Sequence, residues 1–180
     1  MKKLILTSAI LAVLGVTSTA MAAPANTGTV NFTGVVSSAT CELSLQDNAG
    51  KDVSNVDFGT VSNLSDAANA TYSFKLVTTD KTCLQKSSAN VSWSSPTLTA
   101  AGIANAAGAG GTNAYLQVKT TNATQEGNDS IIKQGQTSFD YEVSKGGIAS
   151  FDYTAELVKP SKGATAGPFS ASASYVVAYK

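Results

Sequence analysis

The chain has 180 residues, 43% of them hydrophobic and only 13% charged, and its 12 basic and 12 acidic residues balance to zero. Every basic residue is a lysine, with no arginine and no histidine. Phosphate and nucleic-acid recognition rest on arginine forks and dense basic surface, so no nucleic-acid partner is expected. Catalysis built on a histidine base is excluded as well.

In chain order, residues 1–22 come first. Two lysines follow Met1, residues 4–16 are largely apolar, and Ala20-Met21-Ala22 places small residues at the positions a signal peptidase reads. Thr7 and Ser8 interrupt an apolar stretch that falls short of the roughly 20 residues a membrane-spanning helix needs. The segment therefore reads as a secretory signal cut between Ala22 and Ala23. Loss of Lys2 and Lys3 with it makes residues 23–180 slightly acidic.

Residues 27–41, "TGTVNFTGVVSSATC", alternate with period two: Gly28, Val30, Phe32, Gly34 and Val36 share one face. A strand is predicted over 29–36. Gly34 in its middle is costly in an ordinary strand and marks a bulge or a close approach. Cys41 and Cys83 are the two cysteines of an exported chain, so a structural disulfide between them is expected. A redox or metal pair would need a Cys-x-x-Cys spacing or a histidine.

Further β-prone runs, separated by turn residues, cover 56–61, 71–77, 90–93, 114–119, 138–143, 149–158 and 169–179, with at most a turn or two of helix, near 64–70. About eight such runs in one domain predict an antiparallel β-sandwich. Val91 and Trp93 alternate with Ser92 and Ser94, which assigns Trp93 to the core rather than to a sugar-stacking platform. The run 104–113, rich in glycine and alanine, lacks the Lys-Ser/Thr of a phosphate loop and reads as a flexible surface loop.

Chemistry is sparse. Ser130 and Lys133 fit S-x-x-K, but the S-D-N and K-T-G that accompany it in serine acyltransferases are missing. No calcium-loop pattern occurs among the scattered aspartates. No enzyme activity, cofactor or metal is expected.

The last strand, "GPFSASASYVVAYK", sets Phe169, Ala171, Ala173, Tyr175, Val177 and Tyr179 on one face. With Gly34 seven residues before Cys41, Gly167 fourteenth from the end and Tyr179 penultimate, the chain resembles the pilin subunits of chaperone-usher fimbriae, the type 1 and P pilus group. Residues 56–62 and 74–83 resemble that family's second strand and the strand reaching its second cysteine. Residues 84–145 resemble it only in general β character.

The resemblance implies an incomplete immunoglobulin-like sandwich, completed by a donor strand from a neighbouring subunit or a chaperone. Under it, 23–36 is an N-terminal arm running into the first strand, and 37–180 is the sandwich domain. Gly28, Val30, Phe32, Gly34 and Val36 form the donor face. Gly167, Phe169, Ala171, Ala173, Tyr175, Val177 and Tyr179 form the acceptor groove that meets chaperone and usher.

The implied function is a structural subunit of a surface fimbria that polymerises head to tail and supports cell adhesion. Implied partners are other subunits, identical or homologous, a periplasmic chaperone, an outer-membrane usher and a host receptor reached through the assembled fimbria. A single-domain adhesin that binds a host glycan or protein directly is the alternative. On the residues alone, 28–37 also fits the first strand of a complete sandwich.

Overall fold

The computed structural model describes residues 27–34, 41–62 and 69–180; for 27–34 the backbone pairing is described. The signal segment with its cleavage point, Val36 and most of the helical turn expected near 64–70 lie outside the described residues.

Ten strands follow one another: β1 Thr27–Gly34, β2 Leu43–Asp47, β3 Asn55–Thr60, β4 Ala70–Thr78, β5 Ser88–Ser94, β6 Ile103–Ala104, β7 Tyr115–Thr120, β8 Ser138–Glu142, β9 Ser150–Val158 and β10 Phe169–Tyr179. They form two five-stranded sheets, ordered β3-β1-β10-β5-β8 and β2-β4-β9-β7-β6. Among the described residues the helical pieces are single 3-10 turns at Cys83–Gln85 and Gly127–Ser130.

Strict alternation explains the long strands. In β9, Phe151, Tyr153, Ala155 and Leu157 are buried while Ser150, Asp152, Thr154 and Glu156 face outward. In β10 the buried row is Phe169, Ala171, Ala173, Tyr175 and Val177, as the sequence predicts. Cysteines 41 and 83 are bonded, both buried, with Cα atoms 6.2 Å apart.

Aromatic contacts between the sheets close the sandwich. Trp93 of β5 meets Tyr153 of β9 edge-on at 5.1 Å between ring centres, and Tyr141 of β8 meets Phe151 of β9 at 4.8 Å. Trp93 is thus a core residue. Its indole N–H donates to the Tyr153 hydroxyl (3.3 Å), which also accepts the Tyr141 hydroxyl proton (2.8 Å), and Tyr141 sits 2.7 Å from the Thr120 hydroxyl.

Burial pushes the Tyr141 phenol up to about 12 and Tyr153 well above its ordinary value of 10.0. A phenol whose folded pKa is raised adds stability that is complete below about pH 10 and is lost as pH rises toward the folded value. Thermal melts should therefore fall steeply above about pH 10. Tyr141→Phe should flatten that fall and, by stripping partners from Thr120 and Tyr153, cost about 1–3 kcal/mol at neutral pH. A mutant melting as wild type at pH 7, with an unchanged alkaline limb, would contradict the network.

Two strands were not anticipated. β2 is half-buried along its whole length at a sheet edge, and β6 has two residues; neither presents enough alternation to be read locally. Ser130 and Lys133 are bonded to separate backbone carbonyls. The Ser130 hydroxyl donates to the Gly127 carbonyl (2.7 Å), and the Lys133 ammonium donates to the Asn128 carbonyl (3.0 Å).

Candidate functional site

The first sheet contains a discontinuity in sequence order that defines the site. β10 pairs antiparallel with β5 on one side, through Ser174↔Ser94 to Tyr179↔Ala89. On its other side lies β1, parallel, and β1 in turn pairs antiparallel with β3. Among the described residues β3 has no other strand ladder. Without β1, the β3 and β10 edges would face each other across the width of one strand, with Val56 and the buried row of β10 flooring the gap.

The floor is apolar. Phe169, Ala171, Ala173, Tyr175 and Val177 are all at least nine-tenths buried. Tyr175 packs against Trp93 at 5.4 Å between ring centres, and Tyr179 against Phe151 at 5.7 Å. Tyr179 is half-buried; its hydroxyl is enclosed without a hydrogen-bond partner among the described residues, and burial together with Asp80 raises its pKa to about 12.

The register aligns donor and acceptor residues in pairs: Gly28↔Phe169, Val30↔Ala171, Phe32↔Ala173 and Gly34↔Tyr175. Each glycine of β1 stands in the row of an aromatic of β10, and each large residue of β1 in the row of an alanine. Both residue sets singled out in the sequence are therefore brought together along one ladder. Val36 lies outside the described residues, while Val177 and Tyr179 lie beyond the end of β1.

Gly167 sits just before the strand, at the pole where two loops meet. Its φ is +152°, and a β-carbon there would collide with the Gly110 carbonyl and the backbone of Gly111 and Thr112. The loop around 104–113, expected to be flexible, is instead tied down. Asn105 donates to the Thr112 and Pro168 carbonyls (2.8 and 2.9 Å) and accepts from the Ala107 and Ser170 amides (2.9 Å each). Thr112 and Asn113 bond Thr165 in the same way.

Asparagine side chains within a glycine run mimic backbone partners, a signal that composition alone hides. This pole holds the start of β10: the Ala106 amide donates to the Ser170 carbonyl at 2.7 Å. Gly167→Ala should therefore cost about 1–3 kcal/mol through backbone strain. Thermal denaturation checks this, and an unchanged melt would refute the close-approach role.

These features define a class of protein: an all-β sandwich whose first described strand bridges two strand edges that no other strand joins among the described residues. No protein-family model matches the chain. It is 36% identical over 165 residues to the K99 fimbrial protein of Escherichia coli, covering 87% of this chain and 89% of the relative. It is 31% identical over 164 residues to the F107 fimbrial protein of the same species, covering 90% and 92%. The chain belongs to the fimbrial subunit family.

Proposed function

We propose that this protein is a structural subunit of a bacterial surface fimbria, joined to its neighbours by insertion of one subunit's N-terminal arm between β3 and β10 of the next. The observation that supports the reading is the seat itself. It has an apolar floor and two main-chain edges, and it is filled by a segment at the far end of the chain from β10. Strand addition to such edges is a general mode of recognition, and unpaired edges invite it.

Burial of Val30, Phe32 and Val36 would contribute about 1.5–3 kcal/mol each, and each main-chain bond about 0.5–1.5 kcal/mol net. A gross gain on the order of 10 kcal/mol exceeds several kcal/mol of association cost. Because arm and seat are different surfaces, the contact is heterologous and repeats without closing, which yields a filament. A periplasmic chaperone would fill the seat during export, an outer-membrane usher would catalyse the exchange, and the assembled fimbria would meet the host.

The test is a pair of substitutions on adjacent positions of the arm. Phe32→Asp places a charge in the row of Ala173 and should abolish or shorten filaments; Asn31→Asp, in the row of Ser172 on the opposite face, should leave them near wild-type length. Electron microscopy of assembled filaments reads the difference. Equal effects would sink the assignment of faces.

A further inference from the structure

The loop between β7 and β8 carries a motif that neither the sandwich nor the joint uses. We propose that Asn128 is the acceptor of an N-linked oligosaccharide, attached while the chain is exported and carried on the side of the first sheet away from the seat. The inference rests on the export signal read in residues 1–22 and is independent of the proposed joint.

Beyond that signal the chain has six Asn-x-Ser/Thr sites, at Asn31, Asn63, Asn69, Asn90, Asn122 and Asn128. In such a site the asparagine amide nitrogen takes the sugar, and the hydroxyl two residues on is read by the transferase. Bacterial transferases of this class also select an acidic residue two positions before the asparagine. Only Asn128 has one, Glu126, in "EGNDS"; the other five are preceded there by Thr29, Val61, Ala67, Ser88 and Thr120.

The fold makes the same choice for a separate reason. A glycan is bulky and hydrated, and it must project from the surface. Asn31 and Asn90 lie within β1 and β5, each flanked by strands on both sides. The side-chain amides of Asn69, Asn90 and Asn122 donate to Glu156 (2.8 Å), Asp140 (2.9 Å) and the Ser150 carbonyl (3.0 Å), so a sugar on any of them would crowd the partner. Asn63 lies outside the described residues. Asn128 is exposed, as are Glu126, Gly127 and Asp129 around it, and its side-chain amide makes no hydrogen bond among the described residues.

The turn fixes the order of events. Ser130 is buried and its hydroxyl donates to the Gly127 carbonyl at 2.7 Å, so in the folded chain the hydroxyl that a transferase must read is turned inward and engaged. Attachment therefore precedes closure of the turn. On the emerging chain the Asn128 amide nitrogen bonds to the anomeric carbon of an oligosaccharide held on a polyprenyl diphosphate. The bond from that carbon to the phosphate oxygen breaks, the lipid diphosphate leaves with the electron pair, and a base of the transferase takes the amide proton.

Folding then buries Ser130 and leaves the glycan outside. Thr124 and Gln125 of the same loop bond Asp140 of β8 (2.7 and 3.0 Å), and β8 is separated from β1 by β10 and β5. The seat stays clear.

Mass spectrometry of the protein taken from its own fimbriae tests the site. The peptide containing Asn128 should carry a glycan. Asn128→Gln should abolish it and Glu126→Gln should strip most of it, both with filaments assembling as before, whereas Thr124→Ala, which destroys the Asn122 site, should leave it in place. A bare Asn128, or a glycan that survives Glu126→Gln undiminished, would overturn the proposal. The order of events has its own readout in oxidising cell-free synthesis of the chain. A bacterial oligosaccharyltransferase and its polyprenyl-diphosphate oligosaccharide, present during synthesis, should modify most of the chain; added after folding, they should modify almost none. Equal modification in the two arms would overturn attachment before folding.

Discussion

Removing residues 23–36 is expected to lower the melting temperature by tens of degrees and to abolish filaments, while added peptide of residues 23–37 restores folding in trans. The deletion takes from β3 its only ladder among the described residues, and from β10 one of its two flanking strands. It also uncovers the row of Phe169, Ala171, Ala173, Tyr175 and Val177. At about 1.5–3 kcal/mol for each large apolar side chain returned to water, plus the main-chain bonds, the loss approaches the roughly 5–15 kcal/mol of a whole domain. Differential scanning fluorimetry and electron microscopy read the two effects. A deletion variant that melts within a few degrees of the full chain would mean that the sandwich is complete without the arm.

The second large effect is expected from the disulfide. Cys41→Ser together with Cys83→Ser opens a loop of 42 residues, which in the chain-entropy account costs about 4 kcal/mol. The bond has a further task in this fold. It ties the start of the second sheet, just before β2, to the turn that leads into β5. The doubly substituted chain should show a lowered denaturant midpoint, with a somewhat steeper slope because the unfolded chain, freed of its cross-link, exposes more surface. A loss under about 1 kcal/mol would indicate that neighbouring contacts hold both segments without it.

The Tyr141 and Gly167 substitutions probe smaller terms, and together they separate two parts of the molecule. Tyr141 belongs to a hydroxyl chain inside the sandwich, between β7, β8 and β9. Gly167 belongs to the pole that positions the first residues of β10. If Gly167→Ala also slows arm exchange, the pole and the seat act as one unit, because Ser170 is bonded to both Asn105 and Ala106 on the side away from β1.

Much of this architecture is legible locally. Alternation alone assigns the buried rows of β5, β9 and β10, because a strand buried on one face leaves a period of two in its residues. Two cysteines in an exported chain admit one intramolecular pairing. The excess of serine, threonine and asparagine over charge marks solvated strand faces. Edge strand β2 and the two residues of β6 escape the same reading, since half-buried or very short segments carry little pattern. The tied loop around Asn105 escapes it too, because its bonds run to residues more than 50 positions away.

The sequence by itself determined the all-β class, the disulfide, the core faces and the two segments whose apolar rows call for partners. It left open whether 28–37 serves as an arm or as a first strand. Only the tertiary structure decided that 27–34 lies between β3 and β10, parallel to β10, with Gly28 and Gly34 in register with Phe169 and Tyr175 and Val30 and Phe32 in register with Ala171 and Ala173. The reason is physical. Side-chain alternation is set by each strand's own backbone geometry, whereas strand order, polarity and register depend on pairing between segments more than 130 positions apart.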